Sequence, residues 1–314
     1  MRHCWPLADA ITIRRKGEIR LRLSTTTGTF SLRLDGGYTP YKESIRRLKA
    51  AGYDVLDINF CRALTGQTDL AADDWEQRIQ ELRDEAEKLG IEFSQSHPVF
   101  LPAHPNNVTA EKLEVYNEMM RRSIIASSVL GVKWAVVHPH EDRAKTALDF
   151  DACIKDNVEH FSPYVELAVK HNVGIAFENM IERPTSMRRF ASHASELAAI
   201  IDVWNEPLVG ACWDFGHANF LYKDQRPALR TLGKRLKATH VNDNYGNSDE
   251  HMFPFHGSVD WRSLLPVLAE IGYEGDFTYE THKEFNGLPE PIKDQLAKVG
   301  YDIAQYCLTL VNPQ

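Results

Sequence analysis

"LVGACWDFGHANF", residues 208–220, runs an unbroken apolar segment into an acid, Asp214, and places His217 three residues beyond it. An apolar run with no polar alternation reads as a strand buried on both faces, as in a parallel sheet. The polar, small-residue segment after Asp214 reads as the opening of a helix. One such strand-to-helix joint says little. The fold depends on whether the rest of the chain repeats it.

The joint recurs along the whole chain. Short apolar runs occur at 19–24 (IRLRLS), 54–60 (DVLDINF), 91–96 (IEFSQS), 133–138 (KWAVVH), 173–179 (VGIAFEN), 208–214 (LVGACWD), 237–243 (KATHVND) and 276–281 (DFTYET). Segments of helical period separate them. Leu113, Tyr116, Met120 and Ile124 share one helical face, as do Ile292, Leu296, Val299 and Ile303. The stretches "AGYD" (51–54), "LGIE" (89–92), "HNVG" (171–174) and "IGYEG" (271–275) carry helix-stopping Gly or Asn just before a strand. Eight strands, each followed by a helix, imply parallel pairing with right-handed crossovers. At this length they favour a closed (β/α)8 TIM barrel in a single α/β domain. An open dinucleotide-binding sheet is disfavoured, because no G-x-G-x-x-G follows the first strand.

The chain has 314 residues, 43% of them hydrophobic, so it can build a large core. Residues 1–18 read as an N-terminal extension and 19–314 as the catalytic barrel. The formal net charge of -8 argues against a broad nucleic-acid surface. No run reaches the length of a membrane span. The N-terminal basic cluster follows its apolar patch, the reverse of a secretory signal. Five scattered cysteines without a C-x-x-C fit reduced thiols and a cytoplasmic location. Self-association into a homo-oligomer is compatible with the sequence and not determined by it.

Four successive strands end on metal-ligand types: Glu178, Asp214, His240 and Glu280. Barrel strands open together at their carboxyl ends, so these residues are expected to converge. Three carboxylates and one imidazole suit one hard or borderline divalent ion, Mn, Co, Zn or Mg. Singly, each has a plainer use: Asp214 as a helix cap, His240 as a hydrogen-bonded rim residue. Glu178 and Glu280 are harder to explain away, because a buried unpaired carboxylate is costly. His97 and His138 end the third and fourth strands, and with His217 and His251 they form an expected substrate-binding rim. His256 divides evenly between rim and loop. His104, His140, His193 and His282 read as ordinary loop histidines in a chain with 13.

The pieces "AFEN", "WDFGH", "HVNDNYGNSDEHMFPFHGSVDW" and "YET" resemble the xylose isomerase-like barrels, which include sugar phosphate isomerases and epimerases and the ketose 3-epimerases. The resemblance covers roughly residues 19–310. It implies that Glu178, Asp214, His240 and Glu280 bind the metal and that His217, His97 and His138 contact substrate. The implied chemistry is metal-dependent isomerisation or epimerisation of a sugar or sugar phosphate through an enediolate, with Glu178 and Glu280 as the acid/base pair. One departure stands out: the stretch "NDNYGNSDEH" lacks the arginine that ketose 3-epimerases usually place after the strand-seven histidine.

The same superfamily holds apurinic/apyrimidinic endonucleases with three zinc ions. Their ligand types are matched here by His97, His138, Glu178, Asp214, His217, His240, Asp249, His251 and Glu280. A nuclease is therefore the alternative reading, against which stand the acidic balance and a single compact basic stretch, "RPTSMRRF" (183–190). An inosose- or dehydroshikimate-type dehydratase and a catalytically inactive sugar-binding barrel are further alternatives. The intact glutamate pair opposes the last.

Overall fold

The computed structural model describes residues 19–101, 108–140, 149–182 and 189–312. The expected N-terminal extension, His104 and most of the basic stretch 183–190 lie outside the described residues. Eight strands form one parallel sheet: β1 (Leu23–Thr26), β2 (Val55–Asn59), β3 (Glu92–His97), β4 (Trp134–Val137), β5 (Gly174–Glu178), β6 (Val209–Asp214), β7 (Leu236–His240) and β8 (Phe277–Tyr279). Their order is β7-β6-β5-β4-β3-β2-β1-β8. The sheet closes between its ends: Val241 N donates to Thr278 O at 2.7 Å, and Glu280 N donates to Val241 O at 3.1 Å. This is the (β/α)8 barrel that the strand–helix alternation implied.

Nine α-helices surround the strands among the described residues: α1 (Tyr41–Ala51), α2 (Trp75–Leu89), α3 (Ala110–Val129), α4 (Phe150–Lys170), α5 (Ala194–Trp204), α6 (Phe215–Asn219), α7 (Arg226–Leu232), α8 (Trp261–Glu270) and α9 (Glu290–Val311). Thr109, Asp149 and Asp260 cap α3, α4 and α8 by accepting backbone N–H groups of the first turn. The expected stops hold. Gly52, Gly90, Asn172 and Gly272 take positive φ, which lets the chain leave a helix and enter the next strand.

Inside the barrel Val136, Ala176, Cys212 and Ala238 form a small apolar layer against Trp134. Gly174 leaves room for that indole, whose Cδ2 would lie 2.9 Å from a Cβ at this position. At the amino-terminal mouth Arg22 binds Asp276 with two hydrogen bonds of 2.8 and 2.9 Å and reaches Glu92, tying β1, β3 and β8 together. Among the described residues, no helix is long and apolar enough to cross a membrane.

Some sequence expectations need correction. The first strand begins at Leu23, not at residue 19, because pairing with β8 starts where Phe277 N donates to Arg22 O. β7 ends at His240 and β8 is only Phe277–Tyr279. On α3, Tyr116, Met120 and Ile124 are buried, but Leu113 in the first turn is exposed. On α9 the buried face is Lys293, Ala297, Gly300, Ala304, Cys307 and Val311, while Ile292 and Val299 are exposed. Small residues face inward because α9 packs close to Phe253, whose Cε1 would stand 2.5 Å from a Cβ on residue 300.

Candidate metal centre

The carboxyl ends of β3 to β8 deliver six side chains to one mouth. His97, Glu178, Asp214 and His240 are the last residues of β3, β5, β6 and β7. His138 and Glu280 directly follow β4 and β8. Glu178, Asp214 and His240 are fully buried, and Glu280 is nearly so. One ligand-type atom from each of Glu178, Asp214, His240 and Glu280 lies within 4.8 Å of every other. His240 Nδ1 stands 2.9 Å from Glu178 Oε1 and 3.4 Å from Glu280 Oε2. His138 Nε2 is 3.1 Å and His97 Nε2 3.6 Å from Glu178 Oε2.

Asp214 serves two purposes. As the N-cap of α6 its Oδ1 accepts His217 N at 2.6 Å, and its Oδ2 accepts Asn242 Nδ2 at 2.7 Å. Asn179 fixes its backbone, its Oδ1 accepting Asp214 N and its Nδ2 donating to Asp214 O. One carboxylate thus caps α6 and lies among Glu178, His240 and Glu280.

A second group adjoins the first. His217 Nδ1 donates to Asn179 O at 2.9 Å, which turns Nε2 toward Asp249 Oδ1 at 3.8 Å. His251 Nδ1 donates to Glu280 O at 2.7 Å, and its Nε2 meets Asp249 at 3.1 Å. Lys283 Nζ also reaches Asp249 Oδ2, at 2.8 Å. His217, Asp249 and His251 thus form another compact trio of ligand types. The eight residues singled out in the sequence all reach this mouth. His256 does not join them; it is largely exposed and pairs with Glu284 at 2.9 Å.

Several participants carry little signal in the sequence. His282, read as a loop residue, is half-buried with its ring 4.5 Å from that of His251, and it groups with His251 and Glu280. Its only sequence signal was its place two residues after Glu280. Asn179 and Asn242 each follow a ligand-type residue closely in "FEN" and "HVN", which marked the loops but not their bonds to Asp214. Asp57, buried within β2, faces His240 Nε2 at 3.5 Å.

Electrostatics express the crowding of anions. Burial lifts the Asp214 carboxyl to about 6, and Glu178 adds to the rise. Burial also pushes Glu178 and Glu280 upward, but neighbouring imidazoles outweigh it. His240, His138 and His97 hold Glu178 well below its ordinary range, and His240 and His251 hold Glu280 at about 2. His251 rises to about 9 because Asp249 outweighs its burial. His138 falls to about 4, chiefly through burial, and is neutral near pH 7.

The donor set fits a divalent cation. Three buried carboxylates packed this closely require positive compensation. Donors of a tetrahedral ion about 2.1 Å away stand about 3.4 Å apart; His240 Nδ1 stands 3.4 Å from Glu280 Oε2 and, somewhat closer, 2.9 Å from Glu178 Oε1. Fold and site together define a TIM barrel whose strand ends gather an oxygen-rich cluster of side chains that could hold a metal ion. The family model described as "Xylose isomerase-like TIM barrel" matches residues 45–299, and the chain belongs to that family.

Among related sequences, the uncharacterized protein MJ1311 of Methanocaldococcus jannaschii is 25% identical over 231 residues, covering 72% of this chain and 76% of its own. The uncharacterized protein y4fM of Sinorhizobium fredii is 25% identical over 166 residues, and the match spans about half of each chain, 52%. Among solved structures, a D-tagatose 3-epimerase-like protein superposes with a TM-score of 0.71 at 20% identity, covering 93% of this chain and 98% of its own. The IOLI protein, crystallised with a zinc atom, superposes at 0.72 with 16% identity, covering 94% and 100%. A D-psicose 3-epimerase studied in the presence of D-fructose gives 0.69 at 14% identity, covering 92% and 99%. At these identities the likenesses establish the fold.

Proposed function

We propose that the protein is a divalent-metal-dependent sugar or sugar phosphate isomerase or epimerase. One observation carries the reading: two buried glutamates flank His240 Nδ1, Glu178 at 2.9 Å and Glu280 at 3.4 Å. Glu178, Asp214, His240 and Glu280 would hold a divalent ion, which would supply Lewis acidity toward the oxygens of a keto-sugar. Substrate lying over the cluster then has a carboxylate on either flank. One glutamate accepts the proton alpha to the carbonyl, and the other returns a proton. Return to the opposite face of the same carbon epimerises; return to the neighbouring carbon isomerises.

The surrounding side chains orient these groups. His138 is neutral, with Nε2 3.1 Å from Glu178 Oε2, and leaves Glu178 anionic and able to accept a proton. His217, with Nδ1 committed to Asn179 O, presents Nε2 to the mouth as a partner for substrate hydroxyls. Burial excludes bulk water from the glutamates and protects a carbanion-like species from random protonation. The sugar epimerases among the fold neighbours support this reading.

The trio His217, Asp249 and His251 favours a second reading, a multi-metal phosphodiesterase of the abasic-site type. Incubation with a panel of ketoses and ketose phosphates in D2O, with Mn2+ or Co2+ present, separates the two. Deuterium at the carbon alpha to the carbonyl is expected for at least one sugar. Cleavage of an abasic-site duplex, with no exchange in any sugar, would replace the first reading by the second.

A further inference from the structure

Asp57 lies mid-strand in β2, paired in register with Thr26 of β1 and Gln95 of β3, one layer below the metal cluster. It is 1% exposed. Neither of its carboxylate oxygens makes a hydrogen bond among the described residues. An anion so placed is costly unless another group needs it. The basic atom facing it is His240 Nε2, 3.5 Å from Oδ2. That nitrogen also lacks a hydrogen bond.

His240 has two distinct sides. Nδ1 faces Glu178 and Glu280, and Nε2 faces down the barrel toward Asp57. A neutral imidazole carries one N–H. If Nδ1 is to offer its lone pair to a cation, the proton must sit on Nε2 and needs an acceptor there. Gln95, in the same layer, is committed elsewhere: its Oε1 accepts from Thr278 Oγ1 at 2.9 Å, and its Nε2 donates to Thr239 O. Cys212, which also interacts with the ring, is only a weak acceptor. Asp57 is the remaining strong one.

We propose that Asp57 is a positioning residue that holds His240 in the Nε2–H tautomer, leaves Nδ1 free for the cation, and so sets metal affinity. The inference rests on the metal reading given above. It assigns work to a carboxylate that touches neither substrate nor metal.

The test uses the full chain, Asp57→Asn, and Co2+ or Zn2+ alone as probe. Loss of an outer partner to a ligating histidine typically weakens metal binding about 10–100-fold, and Asp57→Asn is expected to weaken Co2+ binding by that factor in competition with a fluorescent chelator. The metal-free variant is expected to stay folded; a purely structural role predicts a lower metal-free Tm with unchanged Co2+ affinity. A second measurement needs no variant. In 15N-resolved NMR of the Zn2+-loaded wild type, His240 should be protonated at Nε2. Protonation at Nδ1, or Co2+ affinities of wild type and Asp57→Asn within twofold, would overturn the proposal alone. Failure of the wild type to bind either metal would overturn the cluster reading along with it.

Discussion

Gly216, in "WDFGH", is where a single methyl group should disable the cluster without touching a ligand. A Cβ there would penetrate Asn242 Oδ1, stand 2.9 Å from Asn242 Cγ and 3.0 Å from Asn244 Nδ2. Asn242 cannot stay, so its 2.7 Å bond to Asp214 Oδ2 is lost. Asn244, which donates to Gly216 O, is crowded as well. A hydrogen bond to a charged group contributes about 1.5–3 kcal/mol, and overpacking costs about 1–3 kcal/mol. Alanine's better helix propensity offsets about 1 kcal/mol. Gly216→Ala should therefore destabilise by about 2–5 kcal/mol. With an unfolding entropy of about 2.1 cal/mol/K per residue over the chain, Tm should fall by about 3–8 °C. Calorimetry of the metal-free protein reads the stability, and chelator competition reads the affinity for Co2+, which should also drop as Asp214 loses its anchor. Propensity alone predicts a gain in stability. A Tm at or above wild type with unchanged Co2+ affinity would show that Asn242 keeps its bond to Asp214 or that the bond is dispensable.

Other expectations follow from the same geometry. With metal saturating, Glu178→Gln and Glu280→Gln should each lose about 10²–10⁴-fold in turnover, because an amide can ligate but cannot accept the proton; near-normal rates would leave that residue a ligand only. Co2+ at about 100 times its Kd should add about 2.7 kcal/mol of stability, or about 4 °C in Tm, and excess chelator should remove it; a Tm indifferent to metal would contradict the site. His160 accepts from Tyr116 at 3.0 Å, and burial, then His140, lower it to about 4. The native ring stays neutral while the unfolded ring takes a proton below about pH 6.5. Its contribution is thus full above that pH and is lost on acidification toward pH 4. His160→Gln should flatten the fall in denaturation midpoint across that window, and an unchanged slope would count against the assignment.

The barrel was legible because its strands are apolar runs that stop abruptly on polar residues. That pattern also named the cluster, since Glu178, Asp214, His240 and Glu280 are the stopping points. What escaped detection depends on packing. Apolar size marked the wrong face of α9: the helix approaches Phe253 through Ala297, Gly300 and Ala304, so its larger apolar residues sit on the flank. Asp57 was hidden inside "DVLDINF", where an apolar run masks a lone acid. Its parity with Val55 and Asn59 on the strand was the available signal. His282 could not be told from other loop histidines, because its nearness to His251 arises only when the loops after β7 and β8 fold together.

We propose that the four strand ends hold one divalent ion. Anomalous scattering from a crystal of the Co2+-loaded protein tests it without reference to any substrate. A strong peak enclosed by Glu178, Asp214, His240 and Glu280 is expected. Density without a peak among these four side chains, in protein saturated with Co2+, would contradict it.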